Sequence, residues 1–311
     1  MYRADHDNPW MAAVSAGRPR LQAWAAALLA MALAAGVVFG GRVLGSQAAG
    51  TILASMAHVS APWPGVVGSL VFRLIVYAPL ALIALGACRV DRRSPWLAGA
   101  KPSVAAPFGV LVGAGGFALA VALTALAGDV GTAPAQLSGP AGIAAIASGV
   151  VLFALQSTAE ELYFRGWLQP LLCVRWGATA GVLVTALLFA GLHLAGGARA
   201  PVSLINLFLG GLLFGLLALR TGGLWAPVLA HFAWNWSEAA GAGLEANPDL
   251  GPTGSILHLA LRGEPIWSGG DDHLNGSIGM TLVLLALVIG LMAFGVSRSA
   301  TPEARRSGSV P

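Results

Sequence analysis

Three short stretches carry side chains that apolar helices rarely contain. "STAEELYFR" (157–165) groups Glu160, Glu161 and Arg165, "FAGLH" (189–193) ends on His193, and "HFAWN" (231–235) sets His231 and Asn235 four residues apart. Neighbours on a helix point about 100° apart, so Glu160 and Glu161 cannot face one cavity equally. Glu161 and Arg165, four apart with the acid first, have the favourable spacing and order for an ion pair. That pairing leaves Glu160 as the unpaired carboxylate on its own face, able to serve as a general base. His231 and Asn235 project from one face of their helix.

A carboxylate, two imidazoles and an amide suit water attack on an acyl group. A carboxylate and an imidazole can jointly hold and deprotonate a water, while a second imidazole and an amide donate hydrogen bonds to a developing oxyanion. Equally, Glu160, His193 and His231 are common ligand types of a catalytic zinc. Both routes stay open at this point. A nucleophilic serine or cysteine has no support, because G-x-S-x-G is absent and Cys173 sits near the end of an apolar run. H-E-x-x-H is absent too, which removes the usual soluble zinc-protease architecture. The competing reading makes Glu160, Glu161 and Arg165 a helix-end cluster at a membrane interface, with the His and Asn residues as interhelical glue.

These groups must be positioned by helices in lipid. The chain has 311 residues, 57% of them hydrophobic and only 10% charged, against about 25% charged in a soluble protein. Spanning the hydrocarbon takes ~20 apolar residues, and eight stretches qualify: 22–45, 65–88, 104–127, 142–172, 177–196, 202–220, 223–240 and 277–297. The expected fold class is therefore an all-α integral membrane protein, a polytopic bundle of about eight transmembrane helices. Measured along those helices, Glu160, His193, His231 and Asn235 fall ~12–24 Å from one membrane face, a common depth near the midplane.

Basic residues set the expected orientation. One set of segments holds Arg3, Arg18 and Arg20, then Arg89, Arg92, Arg93 and Lys101, then Arg165 and Arg175, then Arg220, then Arg298, Arg305 and Arg306; the other holds Arg42, Arg199 and Arg262. Both termini are then expected in the cytoplasm, with the protein integral to a membrane, most simply a bacterial cytoplasmic (inner) membrane. The net charge of +4 reads as this orienting excess, and no basic stripe with interleaved aromatics points to nucleic acid.

The chain divides into a tail and three helices (1–141), a core of four helices (142–240), an extracytoplasmic loop (241–276) with a short amphipathic helix near 254–262, and a last helix with its tail (277–311). The tails 1–17 and 298–311 read as disordered. Cys88 and Cys173 read as buried free thiols. Gly210, Gly211 and Gly215 read as a close-packing face, Asn206 as glue or as an orienting group, and Arg73 as a side chain that snorkels or pairs with a carboxylate.

"EELYFR", "FAGLH" and "HFAWN" match E-E-x-x-x-R, F-x-x-x-H and H-x-x-x-N in order and spacing. Together they resemble the CAAX-protease and bacteriocin-processing (CPBP, or Abi) family of intramembrane proteases, over about residues 142–240. That resemblance implies that Glu160 activates water with His193, that His231 and Asn235 stabilise the oxyanion, and that Glu161 and Arg165 support the site. It leaves zinc on Glu160, His193 and His231 an open alternative to a metal-free mechanism. The expected function is an intramembrane endopeptidase acting on a membrane-anchored protein or peptide within the lipid bilayer. The alternatives are a non-catalytic membrane scaffold or immunity-type protein and a proton-coupled transporter; intramembrane Glu and His suit a relay, but no internal repeat supports one.

Overall fold

Long runs of Ala, Leu, Val and Gly with few breakers fold as helices, because in lipid every backbone polar group must be satisfied within the segment. The computed structural model describes residues 8–17, 21–95, 102–135, 137–198, 200–244 and 254–297. The helices are α1 (Pro9–Ala16), α2 (Ala23–Ser55), α3 (Trp63–Val90), α4 (Pro102–Leu126), α5 (Gly139–Glu161), α6 (Gln169–Trp176), α7 (Ala178–Gly196), α8 (Pro201–Thr221), α9 (Trp225–Trp236), α10 (Pro265–Ser268) and α11 (Ile278–Ser297). A π-helix, Leu162–Leu168, joins α5 to α6 without a break, and a second, Ser237–Ala242, extends α9.

Among the described residues, seven helices are long and apolar enough to cross a membrane, against the eight expected. The stretch expected as the seventh span, 223–240, is helical for most of its length, but its α part covers only the 12 residues of α9. It packs along α4, α5 and α8, so protein rather than lipid surrounds most of it. Other bounds move as well. The first span runs ten residues past its expected end, to Ser55, so Arg42, counted with the loop cations near that end, lies well within α2. Arg165, also counted among the loop cations, is fully buried in the π-helix.

Further differences lie at the edges. Part of the N-terminal tail expected to be disordered forms α1, held by Trp10, which is fully buried, and by Asn8, whose side-chain amide donates to Leu219 O at 2.8 Å. Residues 1–7 and 298–311 lie outside the described residues, as do the cations counted there. The amphipathic helix expected near 254–262 is instead a strand, β2 (Leu259–Leu261), paired antiparallel with β1 (Val130–Thr132). "LHLAL" alternates with period two, and period two wins where a partner edge is present. Cys88 and Cys173 are free and buried, as expected.

The close seam of the bundle is α4 on α9, made possible by glycine. A Cβ at Gly109 would run into the Ala226 carbonyl oxygen, and one at Gly113 into that of Ala230. Backbone cannot rotate aside as a side chain can. Gly113→Val is therefore expected to push α9 outward and to cost about 1–3 kcal/mol, read as a lowered thermal midpoint in detergent. An unchanged midpoint would mean that the seam is loose.

The π-helix has its own support. Arg93 donates from Nη1 to Gly166 O and from Nη2 to Trp167 O, both at 2.7 Å. A widened turn offers its carbonyls to outside donors, and Arg93 supplies two of them.

Candidate active site

Glu160 and Glu161 end α5 on different faces, as the 100° rotation requires. Glu160 lines a cavity of about 440 Å³ walled by α2, α3, α5, α7, α8, α9 with its π-helical extension, α11 and the turn 270–276, and the same cavity is lined by His193, His231 and Asn235. The four residues that the motifs single out around one face thus meet in one space. Glu161 and Arg165 do not line it. They are fully buried behind its wall.

Glu161 Oε1 is the centre of that wall. It accepts from Arg165 Nη1 at 3.0 Å, the i,i+4 pair expected, and from His231 Nδ1 at 2.9 Å. Arg165 Nη2 donates onward to Gly211 O at 2.9 Å. Its guanidinium carbon lies 4.7 Å from the Phe189 ring centre and 5.7 Å from those of Phe164 and Phe214. Aromatic faces supply part of what water would, but the pair is not fully satisfied: among the described residues Glu161 Oε2 and Arg165 Nε have no hydrogen-bond partner.

The two histidines are fixed by what their Nδ1 atoms touch. His193, in the last turn of α7, places Nδ1 2.8 Å from Phe189 O. A carbonyl can only accept, so Nδ1 carries the hydrogen. His231 Nδ1 faces a carboxylate, and the same holds there. In the neutral ring each Nε2 is then an acceptor, and His231 Nε2 stands 3.8 Å from Glu160 Oε2. The His231 ring stacks on Phe214 at 4.7 Å with planes 16° apart, and His193 leans on Phe189, also at 4.7 Å. Phenylalanines thus lock both rings.

Glu160 is not wholly without partners, contrary to the spacing argument. Gln156 Nε2 donates to its Oε1 at 3.4 Å, a long hydrogen bond from one turn earlier. Gln156 was missed in the sequence reading although its signal was present: a polar residue four before Glu160 in an apolar helix. Glu238 was missed likewise. It is buried and lines the cavity, three residues after Asn235 and seven after His231, on the same face.

Asn206 resolves as glue. Its amide donates to Asn275 O and Ser277 O at 2.7 and 2.9 Å and accepts from Thr281 Oγ1 at 2.7 Å, binding α8 to the turn and to α11. Gly211 packs on Ala186, and Gly215 on Gln169 and Val182, whereas a Cβ on Gly210 would meet nothing within 4 Å. Gly210 lines the cavity and belongs to no packing seam.

For zinc, the chemistry and the geometry disagree. Nδ1 atoms held by a carboxylate and a carbonyl are the usual outer support of ligating histidines. Yet among the described residues no group of three or more His, Cys, Asp or Glu side chains converges closely enough to hold a metal ion. Glu160, His193 and His231 share a cavity without forming a coordination cluster among the described residues.

Residues 142–237 match the family described as Type II CAAX prenyl endopeptidase Rce1-like. The resemblance read from the three motifs is borne out over that segment, which holds Glu160, Glu161, Arg165, His193, His231 and Asn235. No curated protein matches the chain. No solved structure matches it either.

Proposed function

We propose, starting from a segment that carries the Rce1-like endopeptidase pattern, that the chain is an intramembrane endopeptidase that hydrolyses peptide bonds of membrane-anchored substrates. The observation that carries this reading is the convergence of Glu160, His193, His231 and Asn235 on one cavity.

In the mechanism we favour, the Glu160 carboxylate takes a proton from a water while the hydroxide attacks the scissile carbonyl. Nε2 of His231, an acceptor in the neutral ring 3.8 Å from Glu160 Oε2, accepts a hydrogen bond from the second hydrogen of that water and orients it, with Nε2 of His193 as the alternative acceptor. Here the roles shift from those the resemblance implies. Glu161 makes His231 an acceptor toward the cavity, so in this state His231 joins water activation and does not donate to the oxyanion. The Asn235 amide is left as the donor to the tetrahedral oxygen. The proton on Glu160 then passes to the leaving amine, and the C–N bond breaks.

Asn235→Ala tests the donor role. Loss of one oxyanion donor costs roughly 10²–10³ in turnover, so kcat on a quenched peptide library in detergent is expected to fall by that factor with little change in KM. If kcat is unchanged, Asn235 is not the donor. If wild-type protein cleaves nothing in the library or in lipid-anchored peptides, the endopeptidase reading is wrong.

A further inference from the structure

Arg73 has no part in the hydrolytic chemistry, yet it lines the same cavity. The sequence suggested a snorkelling side chain or a carboxylate pair. Instead the residue is 1% exposed, and its Nε and Nη1 find no hydrogen-bond partner among the described residues. The guanidinium lies over the Phe153 ring, 4.9 Å from its centre. Arg42 and Tyr77 line the same cavity, Tyr77 within electrostatic reach of Glu160, Arg73 and Arg42, so the cavity wall combines two cations and a phenol. A buried guanidinium with unmet donors is costly for a fold, and such a group is retained where a ligand completes it. A planar fork of N–H groups matches a carboxylate bidentately.

The distance to the catalytic carboxylate is set by α5. Phe153 precedes Glu160 by seven residues, ~10 Å along the helix at 1.5 Å per residue. A few residues of extended chain cover that gap. Arg42, Arg73 and Tyr77 come from α2 and α3, outside the matched segment 142–237.

We propose that Arg73, in the cavity wall with Arg42 and Tyr77, is a specificity residue that anchors a carboxylate of the peptide substrate a few residues from the bond cleaved at Glu160. The proposal rests on the endopeptidase reading for the word substrate, but not for the binding. The carboxylate has two possible sources, a peptide C-terminus and an acidic side chain.

The test needs no turnover. Purified full-length protein is titrated with acetyl-trileucine as the free acid and as its C-terminal amide, and with an amidated acetyl-Leu-Leu-Glu against its Gln counterpart, by thermal shift. Wild type is expected to bind at least one acid tenfold or more tighter than its neutral twin; the pair that discriminates names the source. Arg73→Gln is expected to erase that preference, and Arg73→Lys to keep part of it while guarding against a folding defect. Equal binding of acid and neutral twin in both pairs overturns the proposal, as does a preference that survives Arg73→Gln. An anionic phospholipid that co-purifies with wild type and is lost from Arg73→Gln also overturns it, assigning the guanidinium to lipid. Acid preference without cleavage of any peptide keeps Arg73 and sinks the endopeptidase; cleavage without acid preference does the reverse.

Discussion

Glu160→Gln is expected to reduce peptide cleavage by about 10²–10⁴, the range a positioned general base contributes. The substitution is nearly isosteric. The Gln156 amide can still donate to the new side-chain oxygen, and nothing else in the wall needs to move, so the loss reports chemistry and not packing. Zinc should be quantified in both preparations alongside activity. An active wild type free of bound zinc supports the side-chain route. Zinc lost together with activity would instead make Glu160 a ligand and require the three donors to converge further than they do here. Equal cleavage by both proteins would remove Glu160 from the mechanism.

Arg165→Met is expected to be among the most damaging single changes away from the cavity. It leaves Glu161 as a buried carboxylate with one partner fewer, and breaking a buried pair costs about 3–5 kcal/mol. Glu161→Gln removes the other charge, while its amide oxygen can still accept from His231 Nδ1. The two should differ in a telling way. Adding Glu161→Leu to Arg165→Met takes away both charges and is expected to recover most of the thermal midpoint, as paired apolar replacements often do. Activity should not return, because His231 has then lost the group that sets its tautomer. Recovery of both would reduce Glu161 to a structural role.

The sequence made local relations readable and left distant ones hidden. The Glu161–Arg165 pair follows from helical period alone, which acts within one segment. The Glu161–His231 hydrogen bond joins residues 70 apart, and it depends on how α9 is rotated against α5, which no spacing records. The shared cavity was inferred from depth along each helix and from the motifs. Which side of Arg73 faced inward was not readable, since an intramembrane arginine can reach lipid headgroups as easily as a cavity. The strand at 259–261 was hidden because its partner, 130–132, lies more than a hundred residues earlier. The short α9 was hidden for a related reason: apolar composition looks the same whether lipid or protein surrounds a helix.

The π-helix at 162–168 bears on chain length rather than chemistry. A wide turn of this kind accommodates one residue more than regular α-helix would, and that surplus sets the rotation of α6 about its axis. Gln169 donates to Gly215 O at 2.9 Å from just beyond it, while Glu161 and Glu160 stand just before it. If the segment relaxed to plain α-helix with its residue count unchanged, the surplus residue would turn everything after it by about 100° relative to the carboxylates. Arg93 would then meet the wrong carbonyls and Gln169 would miss Gly215. The orientation of α6 relative to the paired glutamates is therefore held by the width of this turn together with the contacts of Arg93 and Gln169, not by the composition of the segment alone.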